Sequence, residues 1–167
     1  AGLNNGYTIF LTADHGAIRV PAYLDSLKIP AKYFNTRKFK NFLDSVSTKH
    51  FKSTELVENF SNYQLFLDKE KISTLGLKLD EVAEIFADEL VNFETINKAV
   101  TAKTLQKTNF TKGILNVLQN GYNQKLSGDV LLIPNPGTIS GKRTGTTHGS
   151  GFSYDTHVPI IFYGNGI

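Results

Sequence analysis

Residue types that bind divalent metals occur beside glycines near both ends of this 167-residue chain. Asp14 and His15 are adjacent and precede Gly16, and His148 precedes Gly149. A carboxylate oxygen together with imidazole nitrogens suits Zn²⁺ or a similar ion, at roughly 2.0–2.2 Å from each donor. Because the chain contains no Cys, any metal site must draw on its Asp and His residues.

The Asp14 and His15 pair follows a β-rich apolar run, Tyr7 to Ala13, which we expect to be a strand buried on both faces of a sheet. Ligands of α/β proteins bind beyond the carboxyl ends of strands, which places the pair at such an edge. Both side chains reach one ion only if the chain leaves β geometry there, and at least one more donor must come from elsewhere. Alternatively, Asp14 caps a turn and His15 is an ordinary polar residue at a strand end.

His148 lies in a segment rich in Gly, Ser and Thr, residues 137–153, whose composition is typical of a functional loop. It could be a metal ligand or a general base. Asp155 and His157 follow closely, and they either orient His148 as hydrogen-bonding neighbours or tie the loop to the sheet.

Other polar residues receive no catalytic role. Ser150 is a poor candidate for a hydrolase nucleophile, because its surroundings lack the G-x-S-x-G elbow between strand and helix. His50 lies among basic residues and is typical of a surface. Lys142 and Arg143 could contact phosphate or simply be solvated, and neither is assigned to a site.

Elsewhere the sequence predicts interleaved helices and strands. Residues 17–35 are expected to form an ordered loop, and Thr36 to cap the helix that follows. After that we expect strands at 56–60 and 63–67, as a hairpin or as two successive strands, and a core-facing helix at 79–93. A strand at 96–101, a helix at 111–118, and strands at 129–133 and 158–163 are expected to follow. This pattern predicts one α/β domain, a layered sheet with flanking helices.

Composition narrows the class of protein. The chain is 40% hydrophobic and 20% charged, the balance of a folded globular domain. It has no apolar run of about 20 residues, so we expect no membrane span. The net charge of +3 is mild, and its excess between Arg37 and Lys52 is expected to be a solvated helix face with no nucleic acid partner. Since the chain lacks Met and begins at Ala1, we expect it to be a fragment.

Two segments carry a resemblance to a known family. Thr12-Ala-Asp-His-Gly16 and Gly145-Thr-Thr-His-Gly-Ser150, the latter continuing to Pro159, resemble the alkaline phosphatase superfamily. The likeness is greatest to the secreted bacterial phosphate-insensitive alkaline phosphatases, and Gly121 to Val130 resembles the stretch before their last metal ligand. The resemblance implies that residues 1–167 form the C-terminal part of an alkaline-phosphatase-like catalytic domain.

The resemblance also implies roles for individual residues. Asp14 and His15 match two ligands of the zinc ion that activates the nucleophile, and His148 matches the last ligand of a second zinc ion. In such enzymes a Thr or Ser attacks phosphorus to give a phospho-enzyme, which is then hydrolysed. The nucleophile and the remaining ligands lie upstream of this chain, so its expected partner is the missing N-terminal part. Alone it is expected to be inactive and to bind zinc weakly.

The substrate class follows only from the resemblance. It implies a phosphate monoester as substrate and a periplasmic or secreted location. The alternatives are a phosphodiesterase or a sulfatase of the same superfamily, which share the metal ligands, or a non-catalytic binding module in which the motifs are relics.

Overall fold

The computed structural model describes residues 6–141, 144–164 and 167. Its strands are β1 (Thr8–Thr12), β2 (Lys32–Tyr33), β3 (Val57–Ser61), β4 (Gln64–Leu67), β5 (Ile96–Thr101), β6 (Val130–Pro134), β7 (Thr138–Ile139) and β8 (Ile160–Gly164). Its helices are α1 (Pro21–Ser26), α2 (Thr36–Phe51), α3 (Lys69–Thr74), α4 (Leu79–Leu90), α5 (Ala102–Lys107), α6 (Gly113–Gly121) and α7 (Ser153–Thr156). The predicted class, sheets with flanking helices, is confirmed, although the described strands form three separate sheets.

The largest sheet organises the core. Its strand order is β3-β4-β6-β5, with antiparallel pairing throughout. Every residue of β6 is buried, and its side chains alternate between two apolar clusters. Val130 and Leu132 belong to the main core, with the buried faces of α2 and α4. Leu131 lies in a smaller cluster, against which Leu115 and Leu118 of α6 pack. The sheet is therefore covered by helices on both faces.

The helical periodicity of the sequence predicts α4 and α2 correctly. The stripe of α4 is buried at Val82, Phe86 and Leu90, and acidic residues occupy its first turn, where the helix dipole favours them. The expected cap of α2 is wrong by one residue, because Asn35 rather than Thr36 accepts the N–H of Lys38, at 2.9 Å. None of the described helices is both long and apolar enough to cross a membrane.

Short elements occupy segments that the sequence predicts as loops. Residues 17–35 contain α1 and β2, with Pro21 in the first turn of α1, where its missing N–H costs nothing. Within 137–153 lies β7, buried and paired in parallel with β2. α1 is shorter than two helical turns, and β2 and β7 have two residues each, so these elements show no hydrophobic period.

The first strand corrects another expectation. The predicted strand is present, but burial on both faces is wrong, since every residue of β1 is exposed. It pairs antiparallel with β8 in a two-stranded ribbon, in which Phe10 is 68% and Ile160 67% exposed. Among the described residues, neither a third strand nor a helix layer covers this ribbon. β1 therefore has the composition of a buried strand, although all of its residues are exposed.

Candidate metal centre

The pairing of β1 with β8 brings the two motif segments to one end of the ribbon. Thr12 lies opposite Ile160, so the residues after Thr12 and those before Ile160 share a rim. The N–H of Gly16 donates to the carbonyl oxygen of Asp155 across this rim, at 2.8 Å. The hydroxyl of Thr146 also donates to the carbonyl oxygen of Ile18. The segments are thus tied together at two points.

Gly16 permits this approach because it has no side chain. A Cβ atom at this position would lie 2.1 Å from the carbonyl oxygen of Tyr154, far inside van der Waals contact. Backbone atoms form both sides of the contact, so neither can turn away as a side chain could. The glycine that follows Asp14 and His15 is therefore required by packing against α7.

Asp14 and His15 present two donors with the spacing of metal ligands. The chain bends at Asp14, and Oδ2 of Asp14 lies 3.6 Å from Nε2 of His15. Two donors at 2.0–2.2 Å from a tetrahedral ion lie roughly 3.3–3.6 Å apart. Nδ1 of His15 lies 2.8 Å from the carbonyl oxygen of Gly16. A proton on Nδ1 satisfies that contact and leaves the lone pair on Nε2.

The turn-capping interpretation of Asp14 is compatible with the same geometry. Its Oδ1 accepts the backbone N–H of His15 at 3.0 Å, which fixes the carboxylate and leaves Oδ2 for another partner. The Asp14 side chain is 89% exposed, so the rim is open to solvent.

His148 lies directly against His15. The two imidazole rings are stacked, with centroids 3.4 Å apart and planes inclined by 14°. The structure thus brings together the three residues that the sequence singles out. The donor types fit zinc, yet in the part of the chain that the structure describes no group of three or more such side chains is arranged to hold one ion. A complete centre needs further donors.

Asp155 holds the loop that carries His148. It is 6% exposed, and its Oδ2 accepts the N–H of Gly149 at 3.1 Å and the N–H and hydroxyl of Ser150 at 2.8 and 2.6 Å. These contacts reach the residues after His148 rather than its ring. The Ser150 hydroxyl is committed to this carboxylate and bonds to no His among the described residues, as expected for a structural serine.

His157, His50, Lys142 and Arg143 are the other residues that the sequence analysis discussed. His157 is exposed at the end of α7, and its ring makes no hydrogen bond or ion pair within the described residues, so its suggested contact with His148 stays a prediction. Nε2 of His50, on α2, lies 2.6 Å from Oε1 of Glu89, on α4. Lys142 and Arg143 lie outside the described residues.

The sequence analysis did not single out Asn62 and Tyr63. Asn62 and Tyr63, in the turn between β3 and β4, line a pocket beside His148. Burial raises the pKa of Tyr63 above its usual value, and a hydrogen bond with Ser140 opposes that rise. Gly151 packs against α6, since a Cβ there would lie 3.3 Å from the side chain of Ile114. The local sequence offered one indication of this turn, the turn-forming pair Ser61-Asn62.

Comparisons with curated proteins and solved structures find alkaline phosphatases. No protein-family model matches the chain. It is 30% identical over 162 residues to alkaline phosphatase PafA of Elizabethkingia meningoseptica and 33% over 163 residues to alkaline phosphatase PhoV of Synechococcus elongatus. It is 34% identical over 163 residues to a protein of Myroides odoratus named calcium-transporting ATPase. Each alignment covers 96% of this chain.

The fold of this chain matches that of a solved relative. The crystal structure of wild-type PafA superposes with a TM-score of 0.85 at 30% identity, over 96% of this chain and 31% of PafA. The match is to the C-terminal part of PafA, and the chain spans about 30% of the length of these relatives. The predicted resemblance to alkaline phosphatases is therefore confirmed at the level of homology and fold.

Proposed function

We propose that the protein to which this chain belongs hydrolyses phosphate monoesters with two zinc ions. Asp14 and His15 would bind one ion, and His148 would contribute to the other. The observation that carries the proposal is the contact between His15 and His148, which lie near opposite ends of the chain and have ring centroids 3.4 Å apart. Homology to PafA and PhoV, both named alkaline phosphatases, supports it.

The donor types suit zinc, and the Asp14 and His15 donors, 3.6 Å apart, have the spacing of two ligands of one ion. When bound, the two ions would polarise the phosphoryl group and neutralise charge that develops in the transition state. The chain's own contribution is to hold the donors in place. The carbonyl oxygen of Gly16 orients the His15 ring, and Asp155 anchors the backbone next to His148. Fixed ligands of this kind lower the cost of binding a metal ion.

The nucleophile belongs to a part of the protein outside this chain. We infer that a Thr or Ser hydroxyl there attacks phosphorus, so that a new P–O bond to the enzyme forms as the bond to the alcohol breaks. Water then attacks the phosphorus of the phosphorylated side chain. The P–O bond to the enzyme breaks, phosphate is released and the hydroxyl group is restored. On this proposal the 167 residues are the C-terminal part of the catalytic domain and are inactive alone.

The exposed ribbon supports the need for a further part of the protein. β1 and β8 present apolar side chains, including Phe10, Leu11, Ile160, Ile161 and Phe162, all more than half exposed. Apolar surface of this kind rarely stays in contact with water in a stable protein. The relatives are about three times longer, and we infer that an upstream segment of the same polypeptide covers the ribbon. By resemblance the whole protein is periplasmic or secreted.

The experiment measures hydrolysis and bound zinc in the full-length protein. We expect it to cleave an aryl phosphate monoester faster than the matching diester or sulfate ester, and Asp14→Ala and His148→Ala each to lower kcat/KM by two or more orders of magnitude together with zinc content. His50→Ala is the matched control and should retain both. Preference for the diester or sulfate would move the assignment to those enzyme classes. Unchanged zinc content in both ligand variants would remove the metal roles, and no ester hydrolysis at all would favour a binding module.

A further inference from the structure

Helix α6 contacts both the large sheet and the loop that carries His148. On one side of the helix, Leu115 packs against the smaller apolar cluster of the sheet. On another side, Ile114 and Val117 face Gly151, which follows His148 by three residues. Successive residues of a helix differ by about 100° in direction, so one short helix can contact both parts of the fold. α6 therefore connects the sheet to the loop.

Gly151 is the point at which the loop meets α6. A Cβ atom there would lie 3.3 Å from Cγ1 of Ile114 and 3.4 Å from Cγ1 of Val117, inside the optimum of about 3.5–4.0 Å between carbon atoms. The φ angle of Gly151 lies outside the left-handed range, so backbone conformation does not require glycine here. Close approach to the helix does. The loop backbone rests directly on these two side chains.

Gln119 fixes α6 to the rest of the fold. Every residue of α6 is at least partly exposed, so apolar burial alone holds this helix weakly. The Gln119 amide adds three hydrogen bonds to backbone groups. Its Oε1 accepts the N–H of Phe110 at 2.9 Å, and its Nε2 donates to the carbonyl oxygens of Leu105 and Thr108 at 2.5 and 2.6 Å. Because Leu105 is only 3% exposed, the amide ties α6 to a buried part of the chain.

The loop that carries His148 thus has two supports. The Asp155 carboxylate accepts hydrogen bonds from Gly149 and Ser150, and α6 supports the next residue, Gly151. The two supports act on consecutive positions of the backbone. A metal ligand must stay within about 0.5 Å of its productive position. A shift of either support would therefore be felt at the His148 imidazole.

We propose that α6 positions His148 for metal binding, with Ile114 and Gln119 as positioning residues. Ile114 supports the loop at Gly151, and Gln119 holds α6 where it makes this contact. Neither side chain touches the metal ion or the substrate. The inference rests on the proposed function, and it adds the part of the fold on which one of the two zinc ions depends.

The experiment measures zinc binding to the metal-free full-length protein by calorimetry, where the proposed function predicts two binding steps. His148→Ala identifies the step that depends on His148. Gln119→Leu should weaken that step by about 2- to 30-fold, the range for positions that act through packed neighbours, and should leave the step of Asp14 and His15 unchanged. Asp68→Ala is the stability control, because it removes the N-cap of α3 and should lower the melting temperature without changing either step.

A pair of substitutions tests the contact between the loop and the helix. Gly151→Ala adds a methyl group that meets Ile114, so it should weaken the His148 step by a similar factor. Ile114→Ala should also weaken this step in the wild-type background, because the support is lost. In the Gly151→Ala background the same substitution should partly restore zinc binding, because it makes room for the added methyl group.

The outcomes separate positioning from general stability. Equal weakening of both binding steps in Gln119→Leu would mean a general loss of structure and would overturn the proposal. Independent, additive effects of Gly151→Ala and Ile114→Ala would also overturn it. If Gln119→Leu does not fold, the pair at positions 151 and 114 decides the question. A wild-type protein that binds no zinc would contradict the proposed function itself, and this inference would fall with it.

Discussion

Removal of the Asp155 carboxylate should loosen the loop that carries His148. Oδ2 of Asp155 accepts two backbone N–H groups and one hydroxyl, at 2.6–3.1 Å. A hydrogen bond to a charged acceptor contributes about 1.5–3 kcal/mol, but three that share one oxygen are not additive. We therefore expect Asp155→Ala to destabilise the loop conformation that holds His148 in place by about 3 kcal/mol. That corresponds to a loss of about two orders of magnitude in kcat/KM.

The assay combines activity with a readout of the loop alone. In the full-length protein, Asp155→Ala should lower zinc content and kcat/KM, and the amides of Gly149 and Ser150 should lose protection from hydrogen exchange. Asp155→Asn keeps one acceptor but not the charge, so its loss should be intermediate. Asp129→Asn is the matched control, because Asp129 also accepts a backbone N–H, from Leu67 at 2.9 Å, yet lies away from the rim. Full protection of both amides in Asp155→Ala would refute the reasoning.

Three further variants probe the packing of the rim, the helices and the ribbon. Gly16→Ala should lower the melting temperature and zinc content, since its Cβ would meet the Tyr154 carbonyl oxygen at 2.1 Å; overpacking of this kind costs about 1–3 kcal/mol. Hydrogen bonds from two basic residues of α2 lower the pKa of Glu89, so Glu89→Gln should cost about 0.5–1 kcal/mol in urea unfolding near neutral pH. That difference should vanish as the pH falls below the ordinary value of 4.5 and through the lowered pKa. Phe10→Lys with Phe162→Lys should reduce self-association of the 167-residue chain in sedimentation experiments.

Opposite results would locate the error in each case. A Gly16→Ala protein with unchanged melting temperature would mean that the contact with α7 is dispensable. A Glu89→Gln effect that persists in acid would trace to packing rather than to charge. A chain that stays monomeric with the ribbon intact would mean that its apolar face is covered in another way.

Local pattern determined much of the large sheet and its helices. Consecutive residues were enough to predict the hydrophobic period of α4, the bounds of β5 and the hairpin of β3 and β4. Burial of one face imposes a repeat of apolar residues along the chain, and that repeat is visible in the sequence. The same holds for the residue types at the rim. Asp14, His15 and His148 were singled out by their donor atoms and neighbouring glycines, and the structure places their side chains together.

Contacts between distant residues decided the rest. The antiparallel pairing of β1 with β8 sets which residues share the rim, and the approach of Gly16 to α7 exists only once that pairing has formed. The apolar run from Tyr7 predicted a buried strand, but exposure depends on what lies against a strand and not on its composition. Likewise, nothing local to Tyr63 indicates that its ring packs edge-on against Phe34. A periodic pattern records that a face is apolar, whereas only the tertiary structure specifies which surface it meets.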